Sequence, residues 1–210
     1  MRIVFDFDGT LLDSSKRHLQ VLQDCLNQKG YNQYSLKGFL EYKADGYSTA
    51  AFLKEKLGFS NCQSEEITRM WISHVEDLDY LHTDQLYYDT IPTLCSCLEH
   101  ADILYLCSAR QKEQHLKYQI NQLNLSNVFC EVFCASPATA VNDKEHFINR
   151  VQPDLVVGDS EVDFNAAKNA GVRSYILNRG FRSKAYWDKY KVKTYNSLDS
   201  LRNGEGMEKW

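Results

Sequence analysis

The stretch Ile3-Val4-Phe5-Asp6-Phe7-Asp8-Gly9-Thr10-Leu11-Leu12-Asp13-Ser14 governs the reading of the whole chain. Its apolar start has the character of a buried strand, and that strand runs into two carboxylates. Side chains alternate along an extended backbone, so Asp6 and Asp8 are expected to project to one side at the strand's carboxyl end. Like charges that close repel unless a cation or a proton lies between them.

Beyond this stretch, residues 15–84 carry helical patterns only. A helix over 15–29 places Leu19, Leu22, Cys25 and Leu26 on one face and stops at Gly30. Leu36, Phe39 and Leu40 mark a second, broken by Asp45-Gly46, and Ala51, Phe52 and Leu57 a third, ending at Gly58. Ser64 reads as the cap of a fourth, with Ile67, Met70, Trp71, His74, Val75 and Leu78 as its buried stripe. From Asp89 onward strand and helix alternate, the mark of a parallel sheet covered on both faces. Pro92 opens a helix with Ile91, Leu94 and Leu98 inward. Strands are expected over 103–107, 128–134, 155–157 and 172–177, with an edge strand over 191–195. Asn142 or Asp143 is expected to cap the helix whose first turn carries Lys144. The tail, 204–210, reads as loosely held. The fold class is therefore α/β: a Rossmann-like parallel-sheet core from residues 1–14 and 85–210, with an all-α insertion, residues 15–84, after the first strand.

Composition narrows the function classes. The chain has 210 residues, a net charge of -4 and 25% charged residues, so it lacks the broad basic footprint of a nucleic-acid binder. No run approaches the roughly 20 apolar residues of a membrane helix. Asp6 and Asp8 interrupt the opening apolar run, unlike a secretory signal, so a cytoplasmic protein is expected. The seven cysteines are an odd set, and Cys95-Ser96-Cys97 is not a CxxC pair, so a zinc or redox site is not expected. Six scattered histidines show no ligand spacing, and Gly158 belongs to no GxGxxG or P-loop pattern.

In an open parallel sheet, ligands bind beyond the carboxyl ends of the strands. That rule gathers Asp6, Asp8, Ser108, Asp159 and Asp163 into one locality. Carboxylates so gathered call for a hard divalent cation such as Mg²⁺, and phosphate is its natural companion. Lys144 can reach the same crevice and neutralise a phosphoryl oxygen, with the Ser108 hydroxyl and nearby backbone N–H groups holding others. Lys112 is a rival to Lys144 for this place.

These residues carry a resemblance. The chain resembles the haloacid dehalogenase superfamily, in its phosphoglycolate-phosphatase-like branch with a helical cap. Asp6-x-Asp8-Gly9-Thr10-Leu11-Leu12-Asp13-Ser14 fits the first motif, Ser108 the second, Lys144 the third, and Gly158-Asp159-x-x-x-Asp163 the fourth. The resemblance implies that residues 15–84 form the cap and that catalysis is a two-step phosphoryl transfer. Asp6 would attack phosphorus to form an aspartyl-phosphate, and Asp8 would protonate the leaving oxygen and then activate water. Mg²⁺ would be held by the Asp6 side chain, the Asp8 carbonyl and Asp159, with Asp163 as a direct or water-mediated ligand, and with Ser108 and Lys144 stabilising the transferring group. The implied partner is a small phosphorylated metabolite, with neither polymeric nucleic acid nor membrane, and the chain is expected as a monomer or homodimer.

Thr10, Ala109 and Arg110, beside the motifs, are further candidates for phosphate or substrate contact. In the insertion, Lys43, Asp45, Gly46, Tyr47 and Ser48 occupy the loop that faces the active site in related enzymes. Arg17 and His18 join the candidates. For the insertion residues, and for Arg17 and His18, solvated surface is the competing reading, and Trp71 and His74 read as core. The rival activities are a sugar-phosphate mutase of the β-phosphoglucomutase type, which returns the phosphoryl group to its substrate, and a non-catalytic phosphate-sensing module. A dehalogenase would leave Asp8 idle, and a phosphonate hydrolase lacks that second aspartate.

Overall fold

The computed structural model describes residues 1–100 and 102–202. The tail over 204–210 therefore lies outside the described residues. The chain opens with β1 (Arg2–Phe5), turns tightly, and forms the short β2 (Leu12–Asp13). Five helices follow: α1 (Ser15–Gln28), α2 (Phe39–Ala44), α3 (Thr49–Leu57), α4 (Asn61–His74) and α5 (Leu78–Leu81). The chain returns through β3 (Gln85–Leu86) and then alternates: α6 (Thr90–Glu99), β4 (Ile103–Ala109), α7 (Glu113–Gln122), β5 (Glu131–Ala135), α8 (Ala140–Val151), β6 (Leu155–Gly158), α9 (Glu161–Asn169) and β7 (Arg173–Leu177). It closes with α10 (Lys184–Tyr190), β8 (Thr194–Tyr195) and α11 (Asp199–Arg202).

Six strands form one parallel sheet in the order β5-β4-β1-β6-β7-β8. Both faces are buried, which is why residues 3–5 of β1 and the whole of β6 are apolar without a polar alternate. Ile3, Phe5, Leu106 and Val157 pack on one face with Leu94 of α6 and Leu116 and Ile120 of α7. Val4, Cys107 and Val156 pack on the other with Phe147 and Ile148 of α8 and Ala166 of α9. The chain leaves β1 toward β4 on one side and later comes back to β6 on the other. The end of β1 is thus the point where the strand order reverses, and a crevice opens there beyond the strands.

The helical insertion between β1 and β4 has its own apolar cluster, with Val21, Leu22, Phe39, Phe52, Ile67 and Trp71 at its centre. It is entered and left through the antiparallel pair β2 and β3, which the sequence pattern did not disclose. It lies down on the sheet's carboxyl end at two places. Glu76, between α4 and α5, accepts hydrogen bonds from the backbone N–H groups of Gln111 (3.0 Å) and Lys112 (2.8 Å) at the start of α7. On the opposite flank, Ser183 N–H donates to the Ala44 carbonyl (2.9 Å) and Arg182 to the Lys43 carbonyl (3.2 Å).

Several local expectations are corrected. Helix α4 starts at Asn61, because Ser60 and Gln63 form a reciprocal capping box; Ser64 lies inside the helix and is buried. Leu78 is exposed, and so is His74, which pairs with Asp77 (2.8 Å) instead of joining the stripe. On α6, Ile91 and Leu98 face solvent, while Thr90, Thr93, Leu94 and Cys97 face inward. The Thr90 hydroxyl donates to the Leu11 carbonyl (2.7 Å), which fixes that rotation. Helix α8 begins at Ala140, so Lys144 sits in its second turn and not its first. The edge strand shrinks to Thr194–Tyr195, since Lys191 adopts a left-handed φ of 57° as it ends α10. Among the described residues, no helix is long and apolar enough to cross a membrane.

Candidate active site

Asp6 follows β1 directly and, by alternation, shares the face of Val4, which α8 covers. From the second turn of α8, the Lys144 ammonium donates to Asp6 Oδ1 and to Asp163 Oδ1, both at 2.6 Å. Asp163 lies in the first turn of α9. Its second oxygen accepts from the Ser160 N–H (3.2 Å) and hydroxyl (2.7 Å), a capping box that fixes the carboxylate's direction. Asp159, just past β6, accepts from the Thr10 hydroxyl (3.1 Å) and from the Phe181 N–H (2.6 Å). The backbone closes on Asp159 from both sides. A Cβ would stand 2.5 Å from its Oδ2 at Gly9, where φ is +82°, and 2.1 Å from it at Gly180. Glycine is required at both positions by this approach.

The ligand oxygens of Asp6, Asp159 and Asp163 lie within 4.8 Å of one another, and all three residues are buried. Burial pushes the Asp6 carboxyl well above the usual carboxylate range despite the attraction of Lys144. Asp159 is pushed up to about 7, by burial first and then by Asp163. Burial would push the Lys144 ammonium down, but Asp163 and Asp6 outweigh it and hold it well above its usual value. Three carboxylates against one ammonium leave an excess of negative charge that a hard divalent cation would offset. The donor set therefore fits a metal ion held by Asp6, Asp159 and Asp163.

Asp8 departs from the strand-alternation expectation. Strand β1 ends at Phe5, and the N–H groups of Thr10, Leu11 and Leu12 all turn back onto the Phe7 carbonyl, so Asp8 is not on extended backbone. Its carboxylate takes no part in the acidic group. Arg110 donates to Oδ2 through Nε (2.7 Å) and to Oδ1 through Nη2 (2.8 Å), and Arg17 Nη2 also donates to Oδ1. Burial would push the Asp8 carboxyl up, yet Arg110 and Arg17 outweigh it and hold it far below the carboxylate range. Arg17 is buried and His18 half-buried, against the solvated reading. The His18 ring packs between Trp71 and Phe181, with centroids 5.2 and 4.8 Å away, and its Nδ1 has no partner.

Ser108 is buried near the carboxyl end of β4, with Ala109 the last residue of that strand. Lys112 is removed as a rival to Lys144: its ammonium turns to the Ser73 carbonyl (3.1 Å) and to Asp77. Thr10 commits its hydroxyl to Asp159 and so does not offer it to a phosphate. Gly46 faces Tyr186, whose ring carbon a Cβ would approach to 2.6 Å. Lys43 is half-buried, 5.0 Å over the Trp71 ring, and among the described residues no carboxylate pairs with it. With Gly9, Ser14, Tyr87, Arg179 and Phe181 it lines a cavity of about 320 Å³. The segment 179–183 escaped the sequence reading. Its one signal was Gly180, a glycine soon after a strand, and that position gives the close approach to Asp159.

The model of the family described as haloacid dehalogenase-like hydrolase matches residues 3–177. The chain belongs to the haloacid dehalogenase-like hydrolases. Among curated haloacid dehalogenase-like relatives, phosphoglycolate phosphatases from Aquifex aeolicus and Vibrio cholerae are 25% and 27% identical to it, over 85% of this chain and 85% and 84% of theirs. A solved haloacid dehalogenase-like family hydrolase from Streptococcus pneumoniae superimposes with a TM-score of 0.75 at 19% identity, covering 96% of this chain and 97% of that one. The fold is that of the haloacid dehalogenase-like hydrolases, and the chain is an enzyme with phosphatase relatives.

Proposed function

We propose that the chain is a Mg²⁺-dependent phosphatase of small phosphate monoesters, working through an aspartyl-phosphate on Asp6. The observation that carries this reading is the buried set of Asp6, Asp159 and Asp163 around Lys144, at the carboxyl end of the parallel sheet and beneath the docked helices. Asp6, Asp159 and Asp163, with the Asp8 carbonyl, would hold the metal, which when bound supplies positive charge to the phosphoryl oxygens. Asp6 is then the nucleophile, and Lys144 and Ser108 steady the transferring oxygens. Asp8 gives a proton to the leaving alcohol and recovers it from the attacking water. Lys43 and the cavity beside it take the part of the substrate away from phosphorus. The insertion's contacts at Glu76 and at 182–183 keep bulk water out during transfer.

The test is phosphate release from a panel of small phosphate monoesters, phosphoglycolate included, with and without Mg²⁺. Release is expected only with the metal, and Asp6→Asn is expected to abolish it along with acid-stable labelling of the protein by ³²P-substrate. Undiminished turnover by that variant would sink the mechanism.

A further inference from the structure

Asp8 is the one group in the proposed reaction that has to face the ester oxygen, yet its carboxylate is fully engaged elsewhere. Oδ1 accepts from two guanidinium nitrogens and Oδ2 from a third. The two arginines come from different parts of the fold. Arg110 stands two residues beyond Ser108 on the core, while Arg17 rides on α1, the first helix of the insertion. Arg110 Nη1 is buried without a hydrogen-bond partner, and Arg17 Nε, which makes no hydrogen bond, is held by an ion pair with Asp84 Oδ2 at 3.3 Å. Arg110 and Arg17 are 3% and 2% exposed, so both lie out of bulk solvent. Two buried guanidiniums that converge on Asp8, Arg17 being paired with Asp84 as well and Arg110 keeping Nη1 to spare, make a fork suited to a planar or tetrahedral anion.

We infer that Arg17 and Arg110 form an anion receptor that Asp8 fills between turnovers, and that an acidic group on the substrate's leaving alcohol displaces Asp8 and so frees it to face the ester oxygen. The inference rests on the phosphatase reading and names its substrate class: a phosphate monoester with a carboxylate or second phosphate a few bonds beyond the ester oxygen. The geometry allows the exchange because the receptor is built on Asp8 itself. A group close to the ester oxygen in the bonded sequence of the substrate is brought to the same place as Asp8's own partners. A site that hydrogen-bonds a substrate acid also rejects the analogue lacking it, since its donors then keep their hold on Asp8.

The probes are 2-phosphoglycolate, the second-phosphate analogue 1,2-ethanediol bisphosphate, and the neutral ester 2-hydroxyethyl phosphate. The unaltered protein is expected to prefer at least one acidic ester to the neutral one by about tenfold or more in kcat/KM, and which of the two it prefers identifies the acid. Arg17→Gln and Arg110→Gln are each expected to lower kcat/KM for that acidic ester about tenfold or more relative to the neutral ester, so that the preference shrinks or disappears. A parallel fall for acidic and neutral esters would make the arginines mere supports of Asp8 and overturn the inference. So would equal preference in the unaltered protein, or a preference abolished by Lys43→Met and kept by the arginine variants. If the glutamine variants do not fold, Arg17→Lys and Arg110→Lys answer the same question through inhibition by the free alcohols. Glycolate, but not ethylene glycol, should compete in the unaltered protein and lose potency in the lysine variants; equal potency in both overturns the inference. If no ester at all is hydrolysed, the phosphatase reading itself fails, a result distinct from hydrolysis without acid preference.

Discussion

Lys43 shows how a residue of the insertion carries charge with no carboxylate paired to it among the described residues. Its ammonium rests on the Trp71 ring, and burial, followed by the nearby Arg182, pushes its pKa from 10.5 down to about 8. Because the folded-state value is lowered, the unfolded chain binds more protons between pH 8 and 10.5, and stability should rise with pH across that window. Below pH 8 the cost of holding the ammonium is fully present. Lys43→Met, which keeps the packing on Trp71, is therefore expected to be more stable than the unaltered protein by about 1–2 kcal/mol at pH 7, with the difference vanishing toward pH 10.5. Urea unfolding at a series of pH values checks this; a constant difference across the window would show that Lys43 is not perturbed. The cost is intelligible if the cation waits for the substrate. At the same scale, the Thr10 hydroxyl and Gly180 serve Asp159 and not the ligand, a division that residue types alone do not disclose.

At the scale of elements, the strands and the longer helices follow their local pattern, whereas the helix ends and rotations follow their partners. Helix α7 begins at a lysine N-cap whose side chain makes no cap, and the N–H groups of Gln111 and Lys112, just before its first turn, are satisfied by Glu76, a carboxylate from the insertion. One interaction thus fixes the chain's entry into a core helix and docks the insertion. Glu76→Ala is expected to cost about 1–2 kcal/mol, since it removes a charged acceptor from two backbone N–H groups. Hydrogen exchange should locate the effect at the amides of Gln111 and Lys112. Exchange there unchanged from the unaltered protein would mean that the docking does not depend on this carboxylate. The rotation of α6 has the same kind of cause: its threonines turn inward because Thr90 bonds the Leu11 carbonyl, and two of the three apolar residues expected in the core are left in water.

For the whole molecule, the decisive property is the concentration of negative charge at the centre of the sheet. Asp6, Asp159 and Asp163 come from three elements and stay buried with a single ammonium among them. A cation that binds this group stabilises the native state by mass action, about 2.7 kcal/mol at a hundred times its Kd. For a chain of this length that is a rise in Tm of roughly 5–10 °C. Mg²⁺ should produce the rise, EDTA should reverse it, and Asp159→Asn should remove most of it; a Tm indifferent to Mg²⁺ would argue against a metal at this cluster. The readout is independent of turnover, so it tests the metal even if the substrate is not among those tried.

The alternation of buried strands with amphipathic helices, and the acidic residues that end β1 and follow β6, were legible because burial on both faces of a parallel sheet leaves a one-dimensional signature. The chain by itself therefore determined the α/β class, the helical insertion after the first strand, and the meeting of Asp6, Lys144, Asp159 and Asp163. Tertiary structure alone decided which side chain faces which. It sent Asp8 to Arg17 and Arg110 and away from Asp6, turned Lys112 aside and left Lys144 between two aspartates, and brought the segment 179–183 onto Asp159. The physical reason is that periodicity records how much of a residue is buried. The partner it finds there depends on elements far apart in the chain, and for a charged side chain that partner sets both its protonation and its role.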